Sequence, residues 1–442
     1  LNNVQPKPNA PLPRHTACPG LLRIVQARDG GICRVKLPGG RLSVVQALAI
    51  SAAAERHASG VLEITNRANL QIRGVRAGEE QALIAALLAA ELGPRSAGAD
   101  DVRNVMLSPA AGVDAQQLLD VRPLADQLLS LLETQQSLHQ LSAKFAVQLD
   151  GGEGMAMLNH HHDLWLSALA DGRFVFGLAG EPERALAAVS AEQVPALVQA
   201  CLELFLQRAS AEHTRMRHLL AAWPISAFVA ELQRRLPFAL QQDAAVSGWH
   251  RAPAEAWAHL GVRPQRQPGL VMVGAAPTLG RISAQQLAAV AALARDSVYL
   301  TPWQSLLLRD VPHNEARGLA QQLNALGLLT DSAAPLARLV ACSGSTDCSK
   351  GLADSKGDAL LLAGALAQRT IAIEQVHLSA CSRSCAAAHT APHTLLAVAP
   401  GRYDLYQRDP HLSGFGRVLA RHLTILEAAD TLAALPDPME AL

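Results

Sequence analysis

The chain has 442 residues, no formal net charge, and a composition that is 50% hydrophobic but only 3% aromatic. That length makes two to four domains with ample core, and zero net charge excludes a global polycation for nucleic acid or an anionic membrane, so any anion site must come from local clustering. No apolar stretch approaches the roughly 18 residues that span a bilayer. Leu1 to Pro13, rich in Asn and Pro, lacks a charged-then-apolar signal pattern, and the cytoplasm is the default location.

The first elements form a unit that recurs. Gly31 to Leu37 is predicted as a strand, Gly40-Arg41-Leu42-Ser43 as a turn and helix N-cap, and Leu70-Gln71-Ile72-Arg73 as a strand with one polar face. Much later Gly269 to Gly274, Gly280-Arg281-Ile282-Ser283 and Thr301 to Val311 follow the same order, and Thr65–Val75 matches Thr301–Val311 without a gap. The copies differ in chemistry. The first strand face carries Arg67, Asn69, Gln71 and Arg73, with Arg34 and Lys36 one strand away. In the second, Trp303 replaces Arg67 and Leu307 replaces Gln71. A guanidinium fork binds carboxylates in bidentate fashion, so the asymmetry points to a ligand with several carboxylates. A solvated sheet face is the plainer alternative.

A larger α/β block follows each copy. In the first, Asp100-Asp101-Val102-Arg103-Asn104 makes a polar turn, with Arg103 expected in the loop that corresponds to the one holding Cys342. Lys144 precedes a strand. The run Asn159-His160-His161-His162-Asp163 offers iron ligands, although adjacent residues of a strand point to opposite faces and a polar loop fits as well. Ala168 to Phe174 and Ala397 to Tyr403 share a strand–turn–strand shape with Asp-Gly and Pro-Gly at the turn. Together these blocks predict a pseudo-twofold α+β protein that binds its ligand in the groove between halves. Its domains are expected at 14–80, 95–240, 245–315 and 335–430.

Four cysteines in the last block carry the sharpest signal. Cys342 and Cys348 form C-x5-C, and Cys381 and Cys385 form C-x3-C. Four thiolates suit an iron–sulfur cubane, one for each iron, and the small residues between them let backbone N–H groups approach the sulfurs. Structural zinc is disfavoured by the spacing, and disulfides by an intracellular setting. Cys18, Cys33 and Cys201 are isolated and expected to be small buried hydrophobes. No G-x-G-x-x-G after a strand and no Walker-type loop is present, so electrons would come from a separate reductase.

In this order, the strand ending Lys36-Leu37-Pro38-Gly39-Gly40, Thr65-Asn66-Arg67 to Gln71, Arg103-Asn104, Lys144-Phe145 and the cysteine set resemble the sirohaem sulfite/nitrite reductase superfamily. The resemblance covers about Arg14 to Arg421. Ala17 to Arg23 and Thr65 to Gly74 look most like its oxygen-dependent branch, the precorrin-3B synthases. The resemblance implies two ferredoxin-like half-domains plus two larger α/β domains, and a 4Fe–4S cluster on Cys342, Cys348, Cys381 and Cys385. It implies Arg103 and Lys144 at the reacting centre, and Arg34, Lys36, Arg67, Asn69, Gln71, Arg73 and Asn104 on the substrate.

Related reductases show Lys-Phe-Lys where this chain has Lys144-Phe145-Ala146, so one cation for a small oxyanion is missing. The branch implies precorrin-3A and dioxygen as substrates, hydroxylation at C20 with γ-lactone closure, a further non-haem iron, and NADH through an external reductase. Sirohaem belongs to the alternative, a sulfite or nitrite reductase. Neither nucleic acid nor membrane is an expected partner.

Overall fold

The computed structural model describes residues 18–369 and 374–435. The reading of Leu1 to Pro13 and residues 14–17 of the first expected half-domain lie outside the described residues. The chain divides into two compact units. One joins the segment up to Leu22 with Gly93–Ala254, and the other joins Arg23–Leu92 with Glu255 onward.

The second unit contains both repeats, each a five-stranded antiparallel sheet. The first sheet runs, in spatial order, Val25–Ala27, Gly30–Val35, Leu70–Val75, Val61–Ile64 and Arg281–Ser283. The second runs Gly261–Pro264, Leu270–Ala275, Leu306–Pro312, Ser297–Leu300 and Arg41–Ser43. Each repeat thus lends its three-residue strand to the edge of the other. The Gly-Arg-x-Ser signature is therefore more than a turn: its Arg and the next two residues form the exchanged strand. Its Ser then caps the following helix. Ser43 and Gln46 close a capping box on Val44–His57, and Ser283 and Gln286 close one on Ala284–Leu293.

Glycine opens both signatures. Gly40 has φ +69°, and an added Cβ would lie 2.0 Å from the carbonyl oxygen of Leu300. Two strands absent from the strand–helix–strand reading, Val61–Ile64 and Ser297–Leu300, are only four residues long. That is too short for periodicity to declare itself.

The same unit holds a third sheet: Leu339–Ala341, Val376–Ser379 and His393–Ala399 run parallel, and Arg402–Gln407 and Arg417–Leu423 continue antiparallel. Helices Ser355–Ala367 and Ile425–Ala433 bury Leu362, Leu366 and Leu432 against Leu378, Leu395 and Tyr403. The first unit repeats this topology with Val105–Met106, Val147–Asp150, His162–Ala168, Arg173–Gly180 and Ala187–Ser190. Its core includes Phe145 and Phe205, with ring centroids 4.8 Å apart. The Asp171-Gly172 and Pro400-Gly401 turns join matching hairpins. Among the described residues no helix is long and apolar enough to cross a membrane.

This topology corrects one expectation. Cys342 follows the strand Leu339–Ala341, whereas Arg103 precedes the strand Val105–Met106. The counterpart of the Cys342 loop is the segment after Met106, which contains Ser108. Likewise the counterpart of the Cys381–Cys385 loop is Gly151–Glu153, which follows Val147–Asp150.

Candidate metal centre

Parallel strands deliver their successive ends to one edge of a sheet, where α/β ligands bind. The two cysteine loops leave adjacent strands at that edge. Cys342 Sγ accepts from the Ala380 backbone N–H at 3.3 Å and lies 3.3 Å from Ser355 Oγ, which donates to the Cys342 carbonyl at 2.9 Å. The Leu352 N–H donates to the Ala380 carbonyl at 2.9 Å, tying the loops together. The first loop closes tightly because Gly344 (φ +70°) meets Gly351, where a Cβ would lie 2.6 Å from the Gly344 carbonyl carbon. Asn66 Nδ2 donates to the Cys385 carbonyl at 3.2 Å.

The other three thiols act on Cys385. Burial first, then Cys342, Cys381 and Cys348, raises the Cys385 thiol. A set of thiolates that repel one another is stabilised by a cationic metal group at its centre. Among the described residues no three His, Cys, Asp or Glu side chains close on a point where a single ion could sit. A mononuclear zinc, with Zn–S bonds of about 2.3 Å, needs sulfurs packed far more tightly than a cubane with one thiolate per corner. Four thiols on two loops that are hydrogen-bonded to each other supply the donor type and number of a cubane, one for each iron.

Beneath the first loop lies the polar face of the first antiparallel sheet. Its cross-strand row is Arg34, Gln71, Glu63 and Arg281, in register on four neighbouring strands. Glu63 is the hub. One carboxylate oxygen meets Arg73 Nη1 and Ser343 Oγ, each at 3.3 Å. The other meets Arg281 Nη2 at 2.8 Å and Lys356 Nζ at 3.7 Å. Burial alone would raise this carboxyl, but Lys356, Arg73 and Arg281 together lower it to about 2. Arg281 Nη2 also reaches Asp347 Oδ2 at 2.5 Å, and Arg28 Nη1 donates to the Ser345 carbonyl at 2.5 Å. The loop between Cys342 and Cys348 is thus anchored on the charged sheet face. Sequence reasoning missed Glu63, Arg281 and Lys356, because a charge isolated in the sequence carries no motif; the register brings them together.

Several expected ligand-binding residues have structural work instead. Arg73 is 3% exposed, and its fork grips Asp29 at 2.7 and 2.8 Å before reaching Glu63 and Ser343, so no face of it is left for a ligand carboxylate. Asn69 accepts from the Leu37 N–H at 2.9 Å and closes its own loop. Asn104 donates to the carbonyls of Asp101, Ala143 and Phe145. The Arg103 side chain is 8% exposed, lies beside Glu133 and Asp100 and donates to the Gly93 carbonyl. Arg34, Arg67 and Gln71 are half-buried, Lys36 is buried and Lys144 is exposed. In the histidine run, Asp163 is taken by Arg215 Nε at 2.8 Å and by the N–H groups of Met216 and Ala146. That carboxylate is not available as an iron ligand.

Comparison with known proteins adds three findings. A family model described as nitrite and sulphite reductase 4Fe-4S domain matches residues 98–240. A second, described as nitrite/sulfite reductase ferredoxin-like half domain, matches 25–90 and 263–326. The first match falls on the block whose lone cysteine is Cys201.

Among curated relatives, the chloroplastic ferredoxin–nitrite reductase of Zea mays is 30% identical over 379 residues, covering 80% of this chain and 67% of that protein. The enzyme of Spinacia oleracea is 28% identical, with 80% and 64% covered. The chain therefore spans about two thirds of the length of these plant proteins. A precorrin-3B synthase of Sinorhizobium sp is 29% identical over 397 residues, covering 89% of this chain and 82% of that one. Among solved structures, the NirA protein of Mycobacterium tuberculosis superposes with a TM-score of 0.72 at 22% identity, covering 90% of this chain and 79% of that one, which shows a shared fold.

Proposed function

The chain belongs to the nitrite and sulfite reductase family, and we propose that within it this protein is an oxygen-dependent monooxygenase of the precorrin-3B synthase kind. In this reading half-domains at 14–80 and 245–315 alternate with larger domains at 95–240 and 335–430. The substrate is precorrin-3A, a reduced tetrapyrrole bearing acetate and propionate arms. Dioxygen supplies the hydroxyl at C20, a ring-A acetate closes the γ-lactone, and the second oxygen atom leaves as water.

The observation that carries this reading is Ala146. It is 3% exposed, and its N–H is held by Asp163 at 2.9 Å. A buried methyl therefore stands where related reductases place a second lysine, and a small dianion would lose both countercharge and a proton donor there. The even coverage of the precorrin-3B synthase relative supports the same choice.

The residues take the following roles. Cys342, Cys348, Cys381 and Cys385 hold a 4Fe–4S cluster, which supplies single electrons when bound. Arg67, Gln71, Arg34 and Lys36 bind the acidic arms, with Arg67 offering the guanidinium fork. Lys144 stands exposed at its strand entrance as the remaining cation. The reaction also calls for a non-haem iron, an external electron-transfer reductase and NADH as reductant.

A second reading, sirohaem-dependent reduction of nitrite or sulfite, is favoured by the nitrite reductase relatives. Two measurements separate the readings. An anaerobic absorption spectrum should show the broad absorption of iron–sulfur alone; sharp haem-like bands would favour the reductase. Turnover of precorrin-3A under ¹⁸O₂ should place one heavy oxygen in the new hydroxyl and none in the lactone ring. Product labelled only from water, or nitrite or sulfite reduction at roughly 1 per second or faster, would replace the monooxygenase with the reductase.

A further inference from the structure

A network of six ion-paired groups lies on the sheet face beneath the cysteine loop, with Arg34 and Arg28 outside it. Asp29, Glu63 and Asp347 supply three negative charges, and Arg73, Arg281 and Lys356 supply three positive ones. All but Arg281 and Asp29 have side chains less than 15% exposed, so water screens the set poorly. Lys356 lies next to Ser355, whose hydroxyl touches both the sulfur and the carbonyl of Cys342. Its ammonium is fixed by the Leu279 carbonyl at 2.6 Å and stands within electrostatic reach of the Cys342 thiolate. Glu63 faces that ammonium across 3.7 Å. Neither residue touches a cysteine as a ligand, yet both hold charge beside the loop that carries one.

We propose that Glu63 and Lys356 are positioning residues of the thiolate site that set, with opposite sign, how readily a cluster bound there accepts an electron; this rests on the iron–sulfur reading above. Reduction adds one negative charge to the cluster. Removing the Lys356 ammonium leaves the set one unit negative and opposes that electron. Removing the Glu63 carboxylate leaves it one unit positive and favours the electron. A purely mechanical role gives no such sign, because loosening the loop from either side disturbs the cluster in the same sense.

The experiment is an anaerobic redox titration of the full-length holoprotein, following cluster absorbance and the signal of the reduced cluster, with iron and sulfide content measured on each sample. Lys356→Met should shift the oxidised-to-reduced ratio at fixed potential about tenfold toward oxidised, about 59 mV lower for a one-electron couple. Glu63→Gln should shift it about tenfold the other way. Should Glu63→Gln assemble no cluster, the sign of the Lys356→Met shift decides alone. Shifts of the same sign, or of less than about twofold, would overturn the proposal. A wild-type protein that binds no iron and sulfide would instead refute the iron–sulfur reading.

Discussion

The two antiparallel sheets share a backbone plan and differ in what their polar row does. In the first, the row across four strands is Arg34, Gln71, Glu63 and Arg281; in the second, the matching positions are Gly274, Leu307, Tyr299 and Arg41. The loops at their ends are alike, with Ala68 at φ +56° and Gln304 at φ +58° before strands that begin the same way. The arginine of the long strand is kept in both, but its partner has changed. Arg73 meets the Glu63 carboxylate at 3.3 Å, whereas Arg309 lies over the Tyr299 ring, 4.3 Å from its centroid. Each arrangement offsets the cost of burying a guanidinium, one with an ion pair and the other with a ring quadrupole. The ionic version can also bind hydroxyls and further charges, and it is the sheet on which the cysteine loop is anchored. Duplication preserved the scaffold while one face became an ion-paired seat and the other replaced the central carboxylate and amide with a ring and a leucine.

The four thiols give the largest test of this division. Changing Cys342, Cys348, Cys381 or Cys385 to Ala should remove the broad iron–sulfur absorption expected of the bound cluster and abolish turnover, as measured by absorbance and by iron and sulfide content. Cys18→Ala and Cys33→Ala should leave both intact. Retention of full iron after two changes within the four would show that the charged seat serves something other than a cluster.

Grafting one copy onto the other comes next. Glu63→Tyr gives the first sheet the ring of the second but leaves Arg281 and Lys356 without their shared carboxylate. Breaking a buried ion pair from one side costs about 3–5 kcal/mol, so the midpoint of denaturant unfolding should fall accordingly. An unchanged midpoint would mean that the two faces are interchangeable. A milder exchange is Arg67→Leu, which makes the first loop resemble its apolar counterpart. Substrate binding should weaken by about 2–3 kcal/mol, the worth of a desolvated charge-assisted pair, while the cluster spectrum stays as it was.

The smallest effect concerns the parallel-sheet domains, which diverged in the same manner. Where one has its cysteine loops, the other ties the matching loops with carboxylates: Asp114 accepts from the N–H groups of Gly154 and Met155 at 3.1 and 3.0 Å. Glu153 beside them is fully buried, and burial, then the Asp150 charge, pushes its carboxyl up to about 8. Between about pH 4.5 and 8 the folded state holds a proton that the unfolded state has released, so stability falls as pH rises through that window. Glu153→Gln should flatten this slope in unfolding measurements across the same range; an unaltered slope would place the titrating group elsewhere.

Much of this was legible in the residues alone. The repeat could be read because both copies need the same turn glycine, cap serine and strand alternation, and each of these is a local requirement. The four thiols stood out because two short spacings place them in two loops, and the structure brings those loops together. Gln71 and Arg34 share one sheet face, as alternation along a strand requires, whereas Arg67, expected on the same face, lies in the turn before Leu70–Val75.

Tertiary structure decided the rest. Whether an arginine is free for a ligand depends on which carboxylate arrives beside it. Asp29 is 44 positions from Arg73, and Arg281 is 218 positions from Glu63. Arg73, Asn69, Arg103 and Asn104 look like binding residues in the sequence and act as struts in the fold. Glu63 and Lys356 look like ordinary surface charges and sit under the cysteine loop. The exchange of edge strands had no signal in periodicity, because three residues cannot establish one. Local patterns therefore determined the elements and the thiol set, while the pairing of buried charges, a property of strand register between distant segments, was settled only when the chain folded.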